Sequence, residues 1–332
     1  MATVKTIKPA GGGDYTTLQA WEDWADGEAA ADQWAECYAG GDLGSVGLHG
    51  AWASTPSAGL YPKIYVAEGQ GHEGDITAGA YSGGVFISAL SYVQVVGLRI
   101  TSASSDNVRI SDSPTPIVGV VIQDCLSYNS AGNAGYYCYQ GVTDRDVEAV
   151  FINCMSVNDP AGFYIGADFV FSGGHFIQAH CYNCTVYGAT SYGFRMFNGA
   201  FDTGGGLDSG GKVLVENCIA MESGTADFIN STSGTAGPDS YLITNNCLSS
   251  DSTADDFGGS DNIIDETDTD VFTDPDGDDF SLKAGSAAFN AGKTIVSVTE
   301  DVAGTSRPQG ASYDIGAFET EVAAARRIII VS

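Results

Sequence analysis

A short pattern ending in cysteine recurs through the middle of the chain and constrains the fold more than any other feature. Ile122-Gln-Asp-Cys125-Leu-Ser, Ile152-Asn-Cys154-Met-Ser, Tyr182-Asn-Cys184-Thr-Val, Val215-Glu-Asn-Cys218-Ile-Ala and Thr244-Asn-Asn-Cys247-Leu-Ser follow one another at intervals of 29, 30, 34 and 29 residues. Val95-Val-Gly-Leu98-Arg-Ile, 27 residues before Cys125, reads as an earlier copy with leucine in the cysteine position. Each copy is followed by a second run containing an aromatic residue: Gly135-Tyr-Tyr-Cys-Tyr, Gly162-Phe-Tyr-Ile, Gly193-Phe-Arg-Met-Phe and Ala226-Asp-Phe-Ile. A unit of this size holds two or three short strands and cannot bury its own apolar face, but stacking each unit on the next buries a continuous core. Between residues 60 and 260 the alternating runs and Gly, Asn, Asp and Ser punctuation fit strands, not helices. The expected fold is therefore all-β, a parallel β-helix of eight or so rungs between roughly residues 34 and 250. At ~4.8 Å per rung its column would be on the order of 40 Å long.

On this geometry Leu98, Cys125, Cys154, Cys184, Cys218 and Cys247 form one inward ladder. The flanking Asn and Asp residues sit at the strand-to-turn corner, where left-handed backbone is tolerated. Rung spacing permits disulfides between neighbours. The N-terminus, with two lysines but no apolar run behind them, does not read as a secretory signal, so the expectation is a chain folded in a cytoplasm with free thiols.

An open solenoid end exposes unpaired strand edges and needs a cap. Thr16 and Gln19 have capping-box spacing ahead of an apolar stripe of Leu18, Trp21 and Ala25, which predicts a short plugging helix with Trp21 and Trp24 as core. The organisation expected is an N-terminal cap with the first rungs (1–60), the β-helix (61–258), C-terminal rungs and cap (259–319) and a tail (320–332).

Several stretches resemble a known group. Gly11-Gly-Gly-Asp14-Tyr-Thr-Thr-Leu-Gln-Ala-Trp21-Glu, Ala35-Glu-Cys37-Tyr and Lys63-Ile-Tyr-Val-Ala-Glu68-Gly-Gln-Gly-His72-Glu-Gly are similar to the opening of uncharacterised bacterial and phage right-handed parallel β-helix repeat proteins. Asp279-Phe-Ser-Leu282, Ser286, Asn290-Ala-Gly292, Asp301, Gly304, Arg307-Pro and Asp314-Ile-Gly316-Ala-Phe-Glu319 resemble their terminal signature, so that the likeness runs to about residue 319. It implies the right-handed scaffold and hardly any activity, because such solenoids host lyases, hydrolases, adhesins and virion spikes.

The tail departs from that pattern. Its Arg326, Arg327, Ile328, Ile329, Ile330 and Val331 place the chain's only Arg-Arg pair before four β-branched residues, a strong strand former. It reads either as a strand laid on the protein's own surface or as a docking strand for a partner subunit.

Chemistry is sparse. Acidic residues number 42 against 13 basic ones, so a carboxylate pair is always found somewhere and signals little. Asp168, His175, Arg195 and Asp202 are the catalytic candidates if the chain is a polysaccharide lyase or hydrolase. His175, His180, Cys181 and Cys184 have zinc-like spacing, but with Cys184 inward, Cys181 three residues earlier should face away. Asp274, Asp276 and Asp278 alternate as calcium ligands do, without the twelve-residue frame; calcium is the one cofactor kept open there, against a solvated acidic turn. No phosphate loop or nucleophile elbow is present.

The net charge of −29 excludes a sequence-independent grip on nucleic acid or an anionic membrane, and places the acids on turns and outward faces. The expected function is a non-enzymatic structural protein of a tailed-phage virion: a capsid decoration, turret, fibre or tail-associated β-helix, made in the host cytoplasm and exposed on the particle. It would be a homo-oligomer, with a trimer implied by the likeness to phage spikes, docked on other virion proteins through its tail and facing a host surface glycan. The alternative is an extracellular polysaccharide-binding or polysaccharide-degrading β-helix.

Overall fold

The computed structural model describes residues 2–50, 52–111, 115–140, 146–167, 176–198, 210–232 and 241–322. It is a parallel β-solenoid of about seven turns, with three parallel sheets running along the column. Sheet A has nine strands, from Thr3–Ile7 and Gln33–Cys37 at one end to Gly210–Glu216 and Tyr241–Asn245 at the other. Sheets B and C have seven each, from Tyr81–Ser82 to Leu248–Ser249 and from Val46–His49 to Ala226–Thr232. Each turn passes from A to B to C.

The repeat maps onto this path directly. The residue before each cysteine, namely Asp124, Asn153, Asn183, Asn217 and Asn246, has φ between 48° and 55°, and Gly97 takes the same place with φ 78°. These are the A–B corners, where Asn and Asp accept the left-handed conformation that branched residues resist. Leu98, Cys125, Cys154, Cys184, Cys218 and Cys247 follow the corners and are fully buried. Their carbonyls accept from the residue after the next turn's cysteine: Leu126 N to Leu98 O, Met155 N to Cys125 O, Thr185 N to Cys154 O, Ile219 N to Cys184 O and Leu248 N to Cys218 O, all 2.9 Å. All eight cysteines are free thiols, and burial pushes the Cys218 thiol up to about 11 and Cys247 to about 12, so they are inert small hydrophobes.

Cys181 corrects the expectation that it faces away. It is fully buried, in an inward row of sheet A with Ile122, Phe151 and Val215. The left-handed Asn183 breaks strict alternation between Cys181 and Cys184, so both point inward from different sheets. The aromatic runs form sheet C. In each, the first ring points inward, giving a stack of Tyr136, Phe163, Phe194 and Phe228 with centroids 4.6, 4.8 and 5.2 Å apart and planes within 11°. The Tyr136 hydroxyl donates to the carbonyls of Cys125 and Met155, which removes the penalty of a buried phenol.

The plugging helix spans Leu18–Ala25 with Trp21 fully buried and Trp24 partly so. Its cap is Thr17, whose hydroxyl accepts from Ala20 N, not Thr16; Gln19 instead donates to Glu22 and Asp23 and accepts from Gly47 N. Among the described residues no helix is long and apolar enough to cross a membrane.

After Ile263, which bridges Leu248, the chain turns back along the outside of sheet B. A hairpin, Phe272–Asp274 with Asp279–Leu282, and the segment to Phe318 lay Val271, Phe272, Phe280, Leu282, Ala288, Val302, Ile315 and Ala317 on Leu126, Met155, Val157, Ile219, Met221 and Leu248. Corner asparagines hold this strap from below: the side-chain amides donate from Asn246 to Ala291 O, Asn217 to Lys293 O, Asn183 to Asp314 O and Gly316 O, and Asn153 to Glu300 O, at 2.7–3.3 Å. At its far end the Phe318 ring lies over Gly74, whose φ of 89° and lack of a Cβ admit the ring.

The terminal signature is the knot that ties this strap. Arg307, 7% exposed, donates to Glu319 Oε2 and Asp314 O at 3.1 Å and to Gly316 O at 2.8 Å. The Glu319 carboxylate also accepts from Gln309 N and Asp314 N, Asp301 accepts from Ala303 N, Thr305 N and Glu319 N, and Asp314 accepts from Asn290 N and Thr320 N.

Candidate ligand-binding face

Acidic residues are not confined to the outside. Asp106, Asp159, Asp227, Asp301, Asp314 and Glu319 are buried, which corrects the expectation of an acid-free interior. They sit at corners and in the strap, where backbone N–H groups need acceptors. Asp159 accepts from Ser127 Oγ, Ser156 Oγ and Ser130 N, all at 2.6 Å, yet burial pushes it up to about 6. Asp124 is likewise pushed up to about 6 by burial. The folded state thus holds these protons more tightly than the unfolded chain, whose carboxyls titrate near 4. Stability contributed by them is present below pH 4 and lost as pH rises from about 4 to 6. Urea midpoints are expected to be higher at pH 5 than at pH 7, with about 1 kcal/mol of this change from Asp159 alone, the pH 5–7 part of its whole contribution, and Asp159→Asn should shrink the difference. A midpoint falling steadily from pH 7 to 5 would contradict this.

The outward positions of sheet C carry the densest aromatic and cationic chemistry among the described residues. Because side chains alternate along a strand, the residue after each inward ring faces out. One row reads Phe86, Arg109, Tyr137, Tyr164, Arg195 and Ile229 in register, with Tyr139 and Phe197 in the next row. Tyr137 lies 5.0 Å from Tyr139 and 5.2 Å from Tyr164, centroid to centroid. The Arg109 guanidinium is 5.4 Å from the Tyr137 ring; its Nε donates to Ser111 Oγ at 2.7 Å, and its Nη1 lies 4.0 Å from Asp106 Oδ2 as an ion pair.

Arg195 is surrounded by rings: its guanidinium carbon is 4.6 Å from Tyr164, 4.8 Å from Tyr192 and 5.0 Å from Phe197. Beside it is a notch of about 210 Å³ lined by Gly132, Asn133, Pro160, Tyr164, Tyr192 and Arg195 among others, drawn from three successive turns. A second hollow, about 340 Å³, lies by Phe86, Ser88 and Arg109.

Of the catalytic candidates, only Arg195 can be placed. Asp168, His175 and Asp202 lie outside the described residues, as do Arg326, Arg327, Ile328, Ile329, Ile330 and Val331 of the tail. His180 faces outward from sheet A, its ring nitrogens 2.7 Å from Gln178 Nε2 and from the Tyr182 hydroxyl, across the sheet from the inward Cys181. Asp274, Asp276 and Asp278 are exposed around the strap's hairpin turn. No group of three or more His, Cys, Asp or Glu positioned to hold a metal occurs among the described residues. The outward cluster of Tyr137, Tyr139, Tyr192, Phe197 and Arg109, in which Tyr137 and Tyr139 are themselves nearly covered, escaped the sequence reading, although a second ring one or three residues after the inward one, at Tyr137, Tyr139, Tyr164 and Phe197, carried the signal.

No family model and no curated protein matches the chain. Among solved structures it is similar to the crystal structure of pectate lyase Pel9A, with a TM-score of 0.39 and 11% identity over 96% of this chain and 97% of that one.

Proposed function

We propose that the protein is a non-enzymatic structural component of a tailed-phage virion, exposed on the particle surface as a homo-oligomer docked through its C-terminal tail. The observation that supports this reading is the strap. A chain that spends residues 264–319 binding its own turns together lengthwise is built as a stiff rod, and a net charge of −29 keeps such rods apart in solution. The docking residues are Arg326 and Arg327 with the apolar run Ile328–Val331.

Arg326→Glu with Arg327→Glu is expected to leave the melting temperature of the isolated chain within about 2 °C, while abolishing its incorporation into particles seen by immuno-electron microscopy. A wild-type chain that stays monomeric at high concentration and occurs in no particle would sink the reading. A second reading, an extracellular polysaccharide-binding or polysaccharide-degrading β-helix, is favoured by one observation, the ring-lined arginine on sheet C.

A further inference from the structure

Among the described residues Arg195 has no carboxylate partner, in a chain with 42 acidic residues. Among the described residues Arg109 is near Asp106, Arg307 is paired with Glu319, and Arg99 donates to Ile76 O. Arg195 has none of these. Its neighbours within contact distance are three rings, and its buried Nε has no hydrogen-bond partner. That Nε is sealed from solvent, as are the unpartnered Nε atoms of Arg99 and Arg307, so a ligand would meet the terminal amino groups of the guanidinium of Arg195, which lines the notch. The rings fix the guanidinium by stacking, which leaves its planar fork of donors preorganised for one carboxylate or sulfate.

The surroundings narrow the ligand. The notch, about 210 Å³, is below the ~300–1,000 Å³ of pockets for drug-sized molecules, so it admits one ring and not a large ligand. Tyr164 and Tyr192 line it with aromatic faces, while Asn133 and Ser191 add polar groups at its wall. Aromatic faces with a few polar groups suit the C–H face and hydroxyls of a pyranose. A net charge of −29 disfavours a densely charged polyanion such as nucleic acid, but a single acidic group meeting a single arginine is locally balanced. Because the lining comes from equivalent positions on three turns ~4.8 Å apart, the notch opens along the column, and a chain of sugars could continue past it.

We propose that this notch is a binding subsite for one acidic sugar ring of a glycan, with the carboxylate or sulfate on the Arg195 guanidinium and the ring against Tyr192 and Tyr164. The site binds and does not cleave. It serves either reading of the protein's role, and its failure would leave virion assembly through the tail untouched.

Titration calorimetry of the full chain with an alginate trisaccharide, a sulfated galactan tetrasaccharide and cellotetraose at low salt tests it. At least one acidic oligosaccharide is expected to bind at least tenfold more tightly than cellotetraose, with affinity falling as sodium chloride is raised from about 50 to 300 mM. Which acidic probe binds tells carboxylate from sulfate. Arg195→Gln, and independently Tyr192→Ala should the first variant misfold, should each weaken that binding at least tenfold. Lys293→Gln, on the far side of the column, should not. Equal binding of cellotetraose, wild-type affinity in folded Arg195→Gln, or no binding of either acidic probe at millimolar concentration would overturn the proposal.

Discussion

Arg307→Met is expected to release the strap and to cost about 3–5 kcal/mol, the usual penalty for breaking a buried ion pair by removing one partner. The reason lies in what remains. Glu319, Asp301 and Asp314 would stay buried with no cation among them, and the carbonyls of Asp314 and Gly316 would lose the donors that turn them toward the knot. The measurement is hydrogen exchange together with urea denaturation. Protection of the 264–319 segment should fall to that of a loosely held loop, while the sheet C interior remains protected. An Arg307→Met chain with wild-type protection over the strap would show that apolar packing on sheet B suffices without the knot. Arg307→Lys is informative as well, since one ammonium cannot serve the Glu319 carboxylate and two carbonyls in a plane, so only partial rescue is expected.

Phe163→Ala should cost a similar ~3–5 kcal/mol, for a different reason. Phe163 is the second of four stacked rings and touches Tyr136 and Phe194 on either side and Phe151 edge-on. Its removal opens a void in the middle of a column whose neighbouring turns are held at hydrogen-bonding distance and cannot collapse into the gap. Phe228→Ala, at the end of the stack with one ring neighbour in it, should cost less. Urea titration of the two variants gives the comparison, and a larger loss at Phe228 than at Phe163 would refute the account. In an ordinary solenoid such damage would stay local, because each repeat contacts only its neighbours. Here the strap spans the turns, so Phe163→Ala is expected to keep a single transition, and the double variant with Arg307→Met to unfold in two.

The parts of this architecture legible in the sequence are those repeated turn by turn. Cys125, Cys154, Cys184, Cys218 and Cys247 recur because every turn needs a small inward residue after the corner, and Asn recurs before them because every corner needs left-handed backbone. What happens once per chain left no period to read. The signature running from Asp279 to Glu319 resembled a terminal cap in sequence, but its role as a knot on the flank depends on Arg307 meeting Glu319 across a fold that spacing alone does not encode. Asp159 gave no signal either: Asn-Asp-Pro reads as a solvated turn, and only the stacking of Ser127 and Ser156 around it makes it interior. Arg195 was legible as a cation worth locating. Its cage of three rings was not, because Tyr192 and Phe197 share its strand while Tyr164 comes from the preceding turn and joins them only once the turns are in register.

The strap also bears on how such a chain can change length. Solenoids grow and shrink by duplicating or losing units, since an added repeat docks on its neighbours as well as the last one did. In this protein Asn153, Asn183, Asn217 and Asn246 each meet an assigned carbonyl in the strap, and Phe318 must arrive over Gly74. Inserting one turn between Cys154 and Cys184 would move Asn183, Asn217 and Asn246 by a rung relative to Asn153 and Gly74 while leaving the strap its old length. The 264–319 strap therefore acts as a ruler, and the number of turns is heritable only together with the length of the segment that measures it.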